Sequence, residues 1–181
     1  MKQTLALVPA PTGMQPGGYV PAAFAERSTA LTPRADLAVE AAGPGWRITL
    51  AWDCAAAVHD AARETDRFVD SCALLAPAAT DAPWITMGDT ERPVEGLLWR
   101  PDRAEPWLIR ARGLGTVQRE APPPGTRASG HWQESRWQVV FEIPAWPALQ
   151  QYRQIAVAVW QGAQQERAGL KSVSAGWLAL A

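Results

Sequence analysis

Short apolar runs separated by Gly- and Pro-rich segments make up most of the sequence, and no run has the length and 3.6-residue period of an amphipathic helix. The clearest run is residues 46–53, WRITLAWD, in which every second residue from Trp46 to Trp52 is apolar. Such alternation places these side chains on one face of a strand. The turn sequence GPG at residues 43–45 predicts a hairpin with residues 36–41. Short strands divided by turns predict an all-β fold, a mostly antiparallel β-sandwich with a few short helices.

Further strands are predicted along the rest of the chain, alternating with irregular segments. The apolar runs are at residues 68–77, 84–89, 96–101, 106–113, 135–144 and 154–162, with a terminal strand at 173–181. Residues 54–68 suit a short helix or a polar loop, and residues 144–152 predict a corner or a short helix. The Gly and Pro content of residues 112–131 predicts a long loop, and loops of that length usually serve a site.

The start of the chain differs in composition from the rest. Four prolines and the pair Gly17-Gly18 predict an irregular N-terminal arm over residues 1–30, followed by the sandwich domain over residues 31–181. The apolar run at residues 5–9 is shorter than the roughly 7–15 residues of a secretory h-region, so no signal peptide is expected. No stretch approaches the roughly 20 apolar residues of a membrane-spanning helix.

The charge balance argues against partners that bind through phosphate groups. The 181 residues carry 17 basic and 18 acidic side chains, a net charge of −1, with no polybasic segment. Nucleic acid and anionic lipid are therefore not expected as partners. With 48% apolar and 19% charged residues, the chain has enough apolar material for the core of one globular domain.

Motifs of hydrolases, metalloproteases and phosphate-binding loops are absent from the sequence. His59 lies in a polar segment, His131 precedes a strand, and no nucleophile motif accompanies either, so solvated histidines are expected. Cys54 and Cys72 form no C-x-x-C pair for zinc or dithiol chemistry. A single disulfide between them stays an open alternative for an oxidising compartment.

Ten tryptophans form a large aromatic set. Four lie inside strand patterns and are expected in the core, namely Trp46, Trp52, Trp137 and Trp160. Four others lie near turns, namely Trp84, Trp99, Trp107 and Trp132. Indoles at such positions can pack in the core, wall a flat apolar ligand or form a subunit interface, and the number of tryptophans does not decide between these roles.

Met87 and Lys171 are rare residue types at positions where a predicted strand meets a turn. Met87 is the one methionine beyond residue 14, and Lys171 is one of only two lysines among 17 basic residues. Gly88, which follows Met87, would let a ligand approach the backbone. Unlike arginine, lysine can lose its proton and offer a lone pair, which points to a chemical role for Lys171. The alternative is that the arginine excess is a genomic bias and Lys171 an ordinary surface residue.

Six segments in order resemble a known family. They are LAWD (50–53), DRFVDSCALLAP (66–77), PWITMGD with ERPVEGLLWRPD (83–102), the GLGT loop (113–116), RWQVVFEIP (136–144) and IAVAVWQGAQQERAGLKSVSAGW (155–177). The family is that of the haem-binding γ subunits of ethylbenzene dehydrogenase, dimethylsulfide dehydrogenase and the related chlorate and selenate reductases, in the type II dimethyl sulfoxide reductase group. The resemblance covers about residues 46–178.

The resemblance implies a β-sandwich that holds one non-covalent haem b. Carried over to this sequence, it implies that Met87 and Lys171 are the two axial ligands of the iron, with Gly88, Trp84 and Ser172 also in the cofactor site. The thioether is a soft, neutral ligand, and the amine must bind deprotonated. Because both axial positions would be filled, such a haem passes electrons and performs no bond chemistry, so the protein would not be an enzyme by itself.

The resemblance also implies partners and a compartment. Electrons would pass to or from the iron–sulfur (β) subunit of a molybdenum oxidoreductase whose catalytic (α) subunit carries molybdopterin, in a heterotrimer. Members of the family are exported, which implies a periplasmic location reached together with a folded partner. A cytoplasmic location is the alternative.

A haem-free binding module is the alternative from a different class. In that hypothesis exposed Trp84, Trp107 and Trp132 stack on a carbohydrate or another flat ligand, and Met87 and Lys171 lie far apart. The haem hypothesis instead requires the thioether and the amine to face one slot.

Overall fold

The computed structural model describes residues 1–60 and 67–180. Within these residues the chain forms twelve β-strands, one α-helix and three short 3₁₀ turns. The strands are β1 (Lys2–Pro9), β2 (Arg34–Ala42), β3 (Gly45–Asp53), β4 (Ser71–Pro77), β5 (Val94–Trp99), β6 (Trp107–Ala111), β7 (Gln118–Glu120), β8 (Arg127–Gln133), β9 (Arg136–Ile143), β10 (Gln154–Trp160), β11 (Ser172–Ser174) and β12 (Leu178–Ala179). The helix α1 spans Pro147–Tyr152, and the 3₁₀ turns span Thr12–Met14, Ala22–Phe24 and Gly162–Gln164. The predicted all-β fold with a few short helices is confirmed.

The strands form one antiparallel sheet that curls upon itself. Its order is β7-β6-β5-β4-β10-β11-β1-β2-β3-β9-β8, and β12 pairs with β10. β1 joins the two halves, because residues Lys2–Ala6 pair with β2 while Leu7–Pro9 pair with β11. We call β4, β5, β6, β7, β10 and β11 the β4 half, and β2, β3, β8 and β9 the β3 half.

The main hydrophobic core lies between the two halves. Trp52 and Trp137 of the β3 half are at most 1% exposed and share a cluster with Leu74 and Leu97 of the β4 half. The rings of Trp99 and Trp137 meet edge to face with centroids 5.2 Å apart. The predicted hairpin of residues 36–53 is confirmed as β2 and β3, whose alternate apolar residues face this core.

The central strands β4 and β10 of the β4 half are buried on both of their faces. Every residue of β4 is buried, and β10 is buried from Ile155 to Val159. Because side chains alternate across a strand, such continuous runs supply one apolar set to the main core and a second set to the outer face. The outer set forms a cluster of its own that includes Ala73, Leu75, Leu98, Ile109, Ala156, Ala158 and Val173.

The predicted irregular arm over residues 1–30 is wrong at its start. Lys2–Pro9 form β1, because Leu5 and Leu7 alternate with exposed neighbours and enter the main core. A strand that bridges the halves of the sheet cannot be separated from the sandwich as an arm. Residues 10–33 form no strand and contain two of the 3₁₀ turns.

Three strand and loop predictions also change. Residues 84–89 form no strand, because residues 84–87 are a turn and Met87 and Gly88 have left-handed φ angles of 57° and 80°. The predicted loop at 112–131 contains β7 and the beginning of β8. A bend at residues 175–177 divides the predicted terminal strand into β11 and β12. Of the predicted helix or loop at 54–68, residues 61–66 lie outside the described residues.

The two cysteines are buried and unbonded to each other. Cys54 and Cys72 are both free thiols, so the disulfide alternative is not realised in this structure. Burial, reinforced by the neighbouring Asp70, raises the pKa of the Cys54 thiol to about 12. Among the described residues, no helix is long and apolar enough to cross a membrane.

Candidate functional site

A cavity opens on the outer face of the β4 half. Its volume is about 260 Å³, within a depression that holds about 1220 Å³ of empty space when its open mouth is included. Alanine side chains make part of its floor flat, because Ala158 pairs with Ala73 on the neighbouring strand β4, and Ala156 lies on the same face of β10. A broad apolar floor of this kind suits a planar ligand.

Met87 lines this cavity from the turns at residues 84–89. Its φ of 57° is uncommon for a long side chain. The backbone is held on both sides, because the Met87 N–H donates to the Trp84 carbonyl at 3.0 Å and the Met87 carbonyl accepts from the Gly113 N–H at 3.1 Å. Unusual backbone conformations that the surroundings enforce in this way concentrate at ligand sites.

Lys171 lines the same cavity, immediately before β11. Its Nζ donates to the Ala168 carbonyl at 3.3 Å and lies 5.2 Å from the centroid of the Trp160 ring. Burial lowers the pKa of the Lys171 amine from 10.5 to about 8. The nitrogen lone pair is therefore more readily available than that of a solvated lysine.

Tryptophans form side walls of the cavity. Trp84, Trp160 and Trp177 line it. The Trp160 indole N–H donates to the Ala168 carbonyl at 3.1 Å, and the Trp177 indole N–H donates to the Ala82 carbonyl at 2.8 Å. Trp160, expected in the core, stands instead at the cavity because its position in β10 points outward. Hydrogen bonds thus hold the indoles of Trp160 and Trp177 in place at the cavity.

Polar and exposed side chains lie at the outer part of the cavity. Gln15 and Tyr19 come from the segment after β1, and Arg119 comes from β7. Tyr19, Ile85 and Val117 are each 40% exposed while lining the same cavity. The cavity therefore combines a buried apolar floor with an exposed, mixed rim.

Two of the predicted cofactor-site residues do not line the cavity. Ser172 follows Lys171 in the chain, so its side chain points to the opposite face, where its Oγ accepts the Thr32 N–H at 3.0 Å. Gly88 is required for local backbone packing, because a Cβ there would lie 2.7 Å from the Arg92 carbonyl oxygen. Met87, Lys171 and Trp84 are the predicted site residues that the structure brings together.

The indoles of the binding-module alternative do not form one platform. Trp132 packs against the main core, and its indole N–H donates to the Cys54 carbonyl at 2.9 Å. Trp84 and Trp107 pack against the outer cluster instead. Trp99 is 3% exposed and belongs to the main core.

The donor set of the cavity fits a haem. Within residues 1–60 and 67–180, no group of three or more His, Cys, Asp or Glu side chains could hold a metal ion. A thioether and an amine supply two ligands only, which suits an iron whose other four ligands come from a macrocycle. The flat apolar floor and the aromatic walls suit the macrocycle itself.

Two known proteins are similar to the chain. It is 32% identical over 161 residues to the dimethylsulfide dehydrogenase γ subunit of Rhodovulum sulfidophilum, a match that covers 81% of this chain and 60% of that protein. It is 36% identical over 118 residues to a Haloferax mediterranei protein named as a respiratory nitrate reductase haem subunit, covering 60% of this chain and 42% of that protein. The chain is therefore similar to a γ subunit of a dehydrogenase and to a haem subunit of a reductase.

The chain spans less than two thirds of the length of either relative. No protein-family model matches the sequence. The expected resemblance to the γ subunits of the type II dimethyl sulfoxide reductase group is confirmed by these two relatives.

Several cavity residues were not identified from the sequence. They are Gln15, Tyr19, Arg119 and Trp177. One sequence signal for the cavity exists, because the continuous apolar runs at residues 71–77 and 155–159 indicate strands covered on both faces. The rim residues come from segments without such periodicity.

Proposed function

We propose that this protein is a non-catalytic electron-transfer subunit that carries one haem b with Met87 and Lys171 as the axial iron ligands. The observation that carries the proposal is that the one methionine beyond residue 14 and a lysine with a lowered pKa line a single flat-floored cavity. The name of the Haloferax relative supports a haem in this family.

The chain's own residues would set the properties of the site. When bound, the haem supplies one-electron transfer at its iron. The Met87 thioether, soft and neutral, favours the reduced state, and the Lys171 amine binds without adding a charge. The walls of Trp84, Trp160 and Trp177 limit the access of water to the floor. Two axial side chains leave no position for a substrate, which is why the role is electron transfer.

The partners and the compartment are part of the proposal. The subunit exchanges electrons with the iron–sulfur subunit of a heterotrimer whose molybdopterin subunit performs the chemistry, and the complex is periplasmic. The support is that one relative is named as a dehydrogenase subunit and the other as a reductase subunit. The exposed apolar side chains of Tyr19, Ile85 and Val117 at the cavity suit contact with another subunit.

Reconstitution tests the proposal. The purified chain is titrated with haemin, reduced, and then exposed to carbon monoxide. The expected result is uptake of one haem per chain, a b-type Soret and α band, and no carbon monoxide binding, because both axial positions are filled. Met87→Ala and Lys171→Ala should each shift the bands and admit carbon monoxide.

Matched variants control for general effects of substitution. Met14 is 46% exposed and Lys2 is exposed on β1, so Met14→Ala and Lys2→Ala should leave the spectra unchanged. A folded wild-type chain that takes up no haemin would overturn the proposal, as would spectra that neither cavity substitution alters.

A further inference from the structure

The cavity has a polar side and an apolar side. Its floor residues, including Ala73, Ala156 and Val173, are buried and uncharged. Gln15, Tyr19 and Arg119, by contrast, line it from the outer part. An amphiphilic planar ligand would therefore enter with its apolar part toward the floor and its polar edge toward these three side chains.

Arg119 is the side chain that distinguishes this rim electrostatically. It and Lys171 are the cationic residues that line the cavity within the described chain. The Arg119 guanidinium lies 5.2 Å from the centroid of the Trp107 ring, and no carboxylate pairs with it among the described residues. Its neighbour Arg110, in contrast, pairs with Glu120 at 3.0 Å. Arg119 is thus held by an aromatic face while its hydrogen-bond donors remain open to an anion.

We propose that Arg119 binds the carboxylates of the bound tetrapyrrole, with the Tyr19 hydroxyl as a second donor, and so fixes which edge of the ligand faces the cavity mouth. This inference rests on the proposed function, since it assigns the propionate side of the haem. A guanidinium matches a carboxylate with two parallel N–H donors, an interaction stronger than a hydrogen bond between neutral groups. Arg119 would be a positioning residue, whereas Met87 and Lys171 contact the iron.

The experiment compares two ligands on three proteins. Dissociation constants for ferric haemin and for its dimethyl ester, which lacks both carboxylates, are measured by absorbance titration for wild type, Arg119→Gln and Arg103→Gln. Arg103 is the matched control, because its guanidinium lies 4.0 Å from the centroid of the same Trp107 ring but it does not line the cavity. Arg119→Lys is added because lysine keeps the positive charge but lacks the two parallel N–H donors of the guanidinium.

The wild type should bind haemin about tenfold more tightly than the ester, the factor expected for one charge-assisted hydrogen-bonded pair. Arg119→Gln should weaken haemin binding by about that factor while leaving the ester unaffected, and Arg119→Lys should recover part of the loss. Arg103→Gln should behave as wild type.

Two outcomes separate the inference from the proposed function. If the wild type binds haemin but the ratio of haemin to ester affinity is the same in Arg119→Gln, the role of Arg119 is overturned and the haem site stands. If the folded wild type binds neither ligand, the proposed function fails and this inference fails with it.

Discussion

At the residue scale, the buried carboxylate of Asp70 joins separate parts of the chain. It is 0% exposed, and its Oδ2 accepts the Val58 N–H and the Trp137 indole N–H, each at 2.9 Å. Its Oδ1 accepts the Gly162 N–H at 2.7 Å. Asp70 therefore links the segment after β3, strand β9 and the segment after β10 beneath the main core.

Replacing Asp70 should be strongly destabilising. Asp70→Ala leaves three buried N–H donors without an acceptor, and each unsatisfied group costs about 1–3 kcal/mol, so we expect a loss of about 3 kcal/mol or more in the free energy of unfolding. Urea unfolding measures it. Asp53→Ala is the control, because the Asp53 side chain is 87% exposed in its pair with Arg136. Equal losses in the two variants would contradict this role of Asp70.

Glu166 gives the protein a pH-dependent stability. The residue is 1% exposed, accepts the Gln161 N–H at 2.9 Å and pairs with Arg27 at 3.3 Å. Burial outweighs both contacts and raises the pKa of the Glu166 carboxyl from 4.5 to about 7. The folded state therefore keeps a proton that the unfolded state releases between about pH 4.5 and 7.

The contribution of Glu166 to the free energy of unfolding should be fully present below about pH 4.5 and lost as the pH rises through about 7. The free energy of unfolding of wild type should accordingly fall relative to that of Glu166→Gln over this interval. Urea titrations of both proteins at several pH values measure the difference. Parallel pH profiles would show that the folded state does not hold the extra proton.

At the element scale, β1 is the strand on which the two halves of the sheet depend. Leu5 and Leu7 are each 5% exposed and pack into the main core, whereas Val8, on the opposite face of β1, is 38% exposed. The same strand pairs with β2 along its first part and with β11 along its last part. Loss of its packing should therefore loosen both halves together.

The effect of a substitution in β1 on stability should depend on which face of the strand the side chain occupies. Leu7→Ala should lower the free energy of unfolding by about 2–4 kcal/mol, because it removes buried methyl groups and leaves a cavity. Val8→Ala should change it by less than about 1 kcal/mol, because its side chain already contacts solvent. Both are measured by urea unfolding. Similar losses at the two positions would contradict the placement of β1 in the sheet.

The sequence predicts the elements with strong alternation and misses those set by tertiary context. The β2–β3 hairpin and strand β9 follow from period-two apolar patterns and a Gly-Pro-Gly turn. β1 was missed because Pro9 and Pro11 follow a short apolar run, and its pairing with two distant strands is not a local property. The left-handed φ of Met87 does not follow from the sequence, because it is imposed by hydrogen bonds to distant parts of the chain such as Gly113.

The same distinction holds for the candidate site. Met87 and Lys171 stand out in the sequence as rare types, and Trp84 as an indole at a turn. Ser172 was misplaced because adjacent residues of an extended chain point to opposite faces. Arg119 was not identified because nothing in the sequence distinguishes it from the other arginines before β7 is placed beside the cavity.

At the scale of the whole molecule, different parts of the chain pack against the two faces of the β4 half. The inner face is closed by the β3 half, and the outer face is covered by turns, tryptophans and the cavity. A ligand that fills the cavity binds only the folded state, because the unfolded chain has no such cavity. Haem binding should therefore raise the stability of the entire domain.

Thermal unfolding tests this linkage. With free haemin at 100 times its dissociation constant, the gain is about 2.7 kcal/mol, or an increase of about 5–10 °C in Tm for a domain of this size. Iron-free protoporphyrin at the same concentration should give a smaller increase, because it cannot bond to Met87 or Lys171. Equal increases with both ligands would indicate a pocket that binds the macrocycle without axial ligation.

X-ray absorption at the iron edge of the haem-loaded protein tests the axial ligation most directly. Ligation by Met87 and Lys171 predicts one sulfur neighbour of the iron in wild type and its loss in Met87→Ala. In Lys171→Ala the sulfur neighbour should be retained, with one nitrogen neighbour fewer or replaced. Two results would contradict the assignment of Met87 and Lys171 as the pair that holds the haem. One is an iron in wild type that is surrounded only by nitrogen and oxygen, and the other is a sulfur neighbour that persists in Met87→Ala.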